Sequence, residues 1–192
     1  MKTVCVFCGS RSGGRPVYAD AARRLGTALA ARKMDLVYGG GHVGLMGVVA
    51  DAVLCAGGHV VGVIVQSLVD RELAQEGLAE LIVVDTMHQR KAIMAERADA
   101  FVALPGGYGT CDELFEILTW AQLGFHGRPI GLLNTAGFFD PLLAWLGHMV
   151  REDFLRPKHR ELLLVADHAE ALLDRLRQFR ATPTEPKWVE KT

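Results

Sequence analysis

The chain has 192 residues, half of them hydrophobic and 22% charged, with a formal net charge of −1. That length and composition suit one folded domain with a full core and exclude a disordered chain. Scattered Lys and Arg, near-neutral charge and no apolar run of ~18–20 residues argue against nucleic-acid and membrane partners.

In chain order, Met1-Lys2-Thr3-Val4 enters a strand-like run at once, without the layout of a signal peptide, so a cytoplasmic protein is expected. The first strand is predicted over 3–8 and holds Cys5 and Cys8 at C-x-x-C spacing. Three residues apart on a strand, the two thiols point to opposite faces, so they read as small buried hydrophobes rather than metal ligands. The strand ends in Cys8-Gly9-Ser10-Arg11-Ser12-Gly13-Gly14, and a helix begins at Pro16, with Ala22, Leu25 and Leu29 on one face. A second strand, 35–38, runs into Tyr38-Gly39-Gly40-Gly41-His42-Val43-Gly44. The helix after it carries Met46, Val49 and Val53 and stops at Gly57-Gly58.

Strands are then expected at 59–65, 81–85, 99–104, 129–133 and 162–165, and helices at 86–97, 111–124, 138–152 and 168–180. The strands are continuous apolar runs, the pattern of a sheet covered on both faces. Alternation of strand and helix implies an α/β, Rossmann-like, doubly wound and mostly parallel sheet with helices on both faces. Residues 1–180 read as one domain; 181–192, with two prolines and four charges, read as a loose tail.

In such a sheet ligands bind beyond the carboxyl ends of the strands, where loops turn into helices. Three glycine turns sit there: the two already named and Leu104-Pro105-Gly106-Gly107-Tyr108-Gly109-Thr110. Backbone N–H groups in a turn that opens a helix can hold a phosphate. None of the turns has the Walker pattern or G-x-G-x-x-G with its acidic residue, which disfavours NTP hydrolysis and nicotinamide binding. Thr110-Cys111-Asp112-Glu113 fits a capping box, with Thr110 as N-cap and Glu113 as its partner. Thr86-Met87-His88-Gln89 fits another, and it places Arg90 and Lys91 near a helix N-terminus, where the dipole disfavours cations unless an anion is held there.

The run from Pro105 to Glu113 resembles the PGGxGTxxE signature of the LOG family of cytokinin riboside 5′-monophosphate phosphoribohydrolases, which are often mislabelled as lysine decarboxylases. Cys8-Gly9-Ser10, Tyr38-Gly39-Gly40-Gly41 with Val43-Gly44-Leu45-Met46-Gly47, and Met87-His88-Gln89-Arg90-Lys91 agree with it, and the resemblance spans residues 3–180. It implies a Rossmann-like fold, a homodimer or dimer-based assembly, and hydrolysis of the N-glycosidic bond of an adenosine 5′-monophosphate, often N6-prenylated, to free base and ribose 5-phosphate without metal or organic cofactor. Carried over by position, it implies Arg90 and Glu113 as the catalytic pair. Glu72, Lys91, Gly107, Tyr108, Gly109, Thr110, Cys111, Asp112 and Thr119 would line the nucleotide site with them. His42, Arg11 and Cys111 depart from the usual pattern and leave substrate preference open. A module that binds AMP-like ligands without turning them over is the competing reading, and a retained Arg90 and Glu113 separate the two.

Overall fold

In the computed structural model, which describes residues 1–71 and 73–180, the chain forms seven strands, eight α-helices and a single 3₁₀ turn at Thr135–Gly137. The strands are β1 (Thr3–Phe7), β2 (Asp35–Tyr38), β3 (Val60–Val65), β4 (Glu80–Val84), β5 (Ala100–Ala103), β6 (Ile130–Leu133) and β7 (Leu163–Ala166). The helices are α1 (Pro16–Ala31), α2 (Gly44–Cys55), α3 (Gln66–Val69), α4 (Met87–Glu96), α5 (Tyr108–Gln122), α6 (Asp140–Arg151), α7 (Pro157–Arg160) and α8 (Ala169–Gln178). The expected tail, 181–192, lies outside the described residues.

All six strand pairings are parallel, in the order β4-β3-β2-β1-β5-β6-β7. The expected α/β architecture is therefore present. Winding runs outward from β1 to β4, then returns to the other side of β1 with β5, so the direction reverses between β1 and β5. Residues of α1, α2 and α8 pack one face of the sheet, and those of α4, α5 and α6 pack the other. Strands β3, β5 and β6 are buried along their whole length, because both faces are covered.

Cys5 and Cys8 fall into the two opposite cores, as their strand spacing requires. Burial pushes both thiols well above their ordinary range, so they stay protonated.

Three expectations need correction. β4 is an edge strand whose burial alternates, with Leu81 and Val83 outward at 37% and 43% exposure. Helices α3 and α7 were absent from the sequence reading because neither is long enough to show a period. Finally, α5 begins three residues before the expected 111, capped by Gly107 with no side-chain cap. Thr110 is thus inside the first turn and buried, and Glu113 is in the second turn rather than serving as a capping partner.

Candidate active site

The turns after β1, β2 and β5 meet where the winding reverses. Gly9 donates its N–H to the Pro105 carbonyl at 3.0 Å, and Leu45 donates to the Gly9 carbonyl at 3.0 Å. Gly44 has φ +60°, and a Cβ there would overlap the backbone between Ser10 and Arg11. Glycine at this point serves close packing of one turn on another. Between the turns lies a cleft of about 210 Å³ lined by Ser10, Arg11, Ser12, Gly106 and Gly107, with Tyr18 and Phe138 as an aromatic wall. The uncapped N-terminus of α5 opens beside it, leaving its first N–H groups without intrahelical acceptors. Arg11 is exposed and has no hydrogen bond or ion pair among the described residues.

The second feature comes from the start of α4. The capping box forms: Gln89 N–H donates to Thr86 Oγ1 at 3.2 Å, and Thr86 N–H to Gln89 Oε1 at 3.1 Å. This fixes where the helix begins and turns Arg90 inward. Its Nε donates to the Val63 carbonyl at 3.0 Å, and its Nη1 donates to Glu113 Oε1 at 3.0 Å. Both side chains are nearly enclosed, with Arg90 at 7% and Glu113 at 8% exposure. Burial pushes the Glu113 carboxyl above its ordinary range, while the facing guanidinium pulls it back. A buried, charge-paired carboxyl with a raised pKa beside the glycine turns has the features of a proton-handling group.

Comparison with known proteins places these residues in a family. The family model described as "Possible lysine decarboxylase" matches residues 46–176. The cytokinin riboside 5′-monophosphate phosphoribohydrolase LOG7 of Arabidopsis thaliana is 50% identical over 191 residues, covering 100% of this chain and 86% of the relative. LOG2 of the same plant is 49% identical over 190 residues, covering 99% and 88%. The chain belongs to the LOG family. The fold is shared more widely: the molybdenum cofactor binding protein of Rippkaea orientalis aligns with TM-score 0.71 at 20% identity, over 93% of this chain and 97% of that one.

The residues that the LOG signature singles out are not equally disposed in the structure. Gly107, Tyr108 and Gly109 are exposed at the start of α5, with Tyr108 98% exposed; Cys111 is half-buried and Asp112 exposed. Lys91 is directed at carboxylates of the chain itself, Asp112 Oδ2 at 3.0 Å and Glu116 Oε1 at 3.1 Å. Desolvation works against the Lys91 charge, but these two carboxylates outweigh it and raise the pKa. Thr119 is not brought to the glycine turns. Six residues past Glu113 it faces another side of α5, its hydroxyl donates to the Phe115 carbonyl at 2.7 Å, and it lines a separate depression with Phe154 and His159. Glu72 lies outside the described residues. Leu73 and Gln75 are bound to the β2 turn, through His42 N–H to the Leu73 carbonyl and Gln75 N–H to the Gly40 carbonyl.

Sequence reasoning missed the Val63 carbonyl as a partner of Arg90, and Tyr18 and Phe138 as a cleft wall. A backbone acceptor carries no residue signature, and two aromatics 120 positions apart make no motif.

Proposed function

We propose that the protein hydrolyses the N-glycosidic bond of a nucleoside 5′-monophosphate, an adenosine 5′-monophosphate with or without an N6 substituent. The products are free base and ribose 5-phosphate. The observation that carries this reading is the buried Arg90–Glu113 pair beside three stacked glycine turns, in a chain about half identical to named phosphoribohydrolases along almost its whole length.

Breaking the C1′–N9 bond sends its electron pair to the base, which takes up a proton from solvent as it leaves, balancing the one Glu113 removes from the attacking water, and leaves cationic character on the ribose. In this mechanism the Glu113 carboxylate stabilises that cation and takes a proton from the water that attacks C1′. Its raised pKa suits a base at neutral pH. Arg90 holds the carboxylate in place, and the first N–H groups of α5, with Gly107 to Thr110, receive the 5′-phosphate. Lys91 and Asp112 tie α4 to α5 on the flank of the pair. No cofactor enters this scheme.

We also place the chain in the cytoplasm, in keeping with a nucleotide substrate, and in a homodimer or dimer-based assembly. Exposed Trp145 and Phe154, at 51% and 87%, favour a covered face on the α5–α7 side. No described helix is long and apolar enough to cross a membrane. Lysine decarboxylation by pyridoxal chemistry would need a lysine that can shed its proton to form an imine. Lys91, the one lysine near the site among the described residues, has its pKa raised instead.

Product analysis with AMP and isopentenyladenosine 5′-monophosphate tests the reading, with wild type beside Glu113→Gln. Wild type should release free base and ribose 5-phosphate, and the variant should be slower by about 100-fold or more. The dephosphorylated riboside should be a poor substrate. Near-normal turnover by a folded Glu113→Gln would remove the carboxylate from the mechanism. Tight binding without base release from wild type would establish the carrier instead.

A further inference from the structure

Beside the buried pair one position is kept free of a side chain. Gly39 follows β2, is buried, and its φ lies outside the left-handed region, so any residue could adopt its backbone conformation. Gly40, next to it, has φ +70° and does need glycine. What Gly39 contributes is therefore room. A Cβ at position 39 would overlap Arg90 Nη2 and stand 3.0 Å from its Cζ, with Met46 Sδ at 3.4 Å.

The guanidinium is planar, and its Nε and Nη1 are already committed to the Val63 carbonyl and to Glu113. Turning the plane to relieve the overlap would lengthen at least one of those bonds. We propose that Gly39 is a positioning residue for base release, whose missing side chain lets the Arg90 fork lie flat against β2 and hold Glu113. The proposal rests on Arg90 and Glu113 being the catalytic pair. It gives the first glycine of the Gly39-Gly40-Gly41 turn a role in orienting an arginine rather than in cradling phosphate.

The test uses the full chain and AMP, comparing wild type with Gly39→Ala, Arg90→Ala, Gly39→Ala/Arg90→Ala, Glu113→Gln and the control Gly147→Ala. Residue 147 lies on α6, where a Cβ meets only Arg151 Nη1 at 3.6 Å, so the control should match wild type. Gly39→Ala should lower kcat about 100-fold, the scale of a misplaced catalytic group, with KM little changed. The acidic limb of its pH profile should move to higher pH, because Glu113 loses part of the pull of Arg90. The other groups around Glu113 are Lys91 from α4, the neighbouring Asp112 and the protonated thiols of Cys5 and Cys8.

Stability gives a second readout that needs no turnover. Gly39→Ala should lower the unfolding midpoint in the wild-type background and much less in the Arg90→Ala background, since the two side chains compete for one space. Wild-type kcat and pH profile in Gly39→Ala, with Arg90→Ala and Glu113→Gln inactive, would overturn the positioning role alone. Activity in all of them would overturn the catalytic pair as well. If Gly39→Ala does not fold while Arg90→Ala does, recovery of folding in the double variant supports the proposal, and failure there overturns it.

Discussion

Replacing Arg90 by Met should destabilise the protein by an amount that depends on pH in one direction only. Methionine keeps most of the apolar stem but removes the guanidinium, leaving Glu113 at 8% exposure without its cation and the Val63 carbonyl without a donor. Stripping one partner from a buried ion pair costs about 3–5 kcal/mol. Unit charges ~4 Å apart at an effective dielectric of ~20 attract by about 4 kcal/mol, so the two estimates agree. The stranded carbonyl adds about 1–3 kcal/mol, at any pH. The charge penalty can be relieved if Glu113 takes a proton, and this sets the direction. Its folded pKa already lies above the unfolded value of about 4.3 and rises further without Arg90. The native state then binds the proton more tightly than the unfolded chain, so stability falls as pH rises through the folded pKa and levels off above it. Urea unfolding should therefore show wild type and Arg90→Met separated mainly by the carbonyl loss near pH ~4.5, and by about 3–5 kcal/mol more near pH ~7.5. The companion Arg90→Met/Glu113→Gln should show no such pH dependence. A separation equal at both pH values, or wider in acid, would refute the argument that the buried carboxylate is the source of the cost.

Two other substitutions probe the surroundings. Tyr38 is fully buried and its hydroxyl has no hydrogen-bond partner among the described residues, so Tyr38→Phe should leave stability unchanged or raise it by about 1 kcal/mol. A clear loss in the urea midpoint would mean that the hydroxyl has a partner in solution. Arg11→Ser should raise KM for AMP by about 10-fold, the worth of one charge-assisted hydrogen bond, with kcat held and the effect shrinking at high salt. An unchanged KM would place the 5′-phosphate away from the cleft after β1.

Much of the fold was legible because its signals are strong and local. Each of the seven strands lies within a residue or two of its expected place, and for β3, β5 and β6 the reason is that a parallel strand buried on both faces is an uninterrupted apolar run. The long amphipathic helices followed for the same reason. What failed depends on neighbours rather than on local pattern. Leu81 and Val83 read like core, but β4 lies at the edge of the sheet, a place set by the strand order rather than by its own residues. The start of α5 was misplaced because Thr110 and Glu113 have capping-box spacing, whereas Gly107 is where the backbone turns helical. The signature named Arg90 and Glu113 without showing that they touch across 23 residues. It gave no sign that Gly39 is empty on account of the same arginine.

Why a small α/β domain should bury this pair at all is a question about stability as much as chemistry. An arginine and a carboxylate enclosed together are usually no more stabilising than apolar side chains of similar size, because desolvation offsets their attraction. Here the arrangement also gives up a side chain at Gly39 and leaves a carboxyl whose ionised form is disfavoured. These costs fall on adjacent elements at one end of the sheet, while most of the rest of the core is apolar packing. Local departures from the most stable choice, concentrated at one end of an otherwise regular fold, are expected where binding or reaction sets the sequence. The placement then follows from the topology. Arg90 comes from the helix after β4, on one side of the point where the winding reverses, and Glu113 from the helix after β5, on the other. A substrate held across that reversal would meet both, and the pair can form only when the two halves of the sheet are docked on β1.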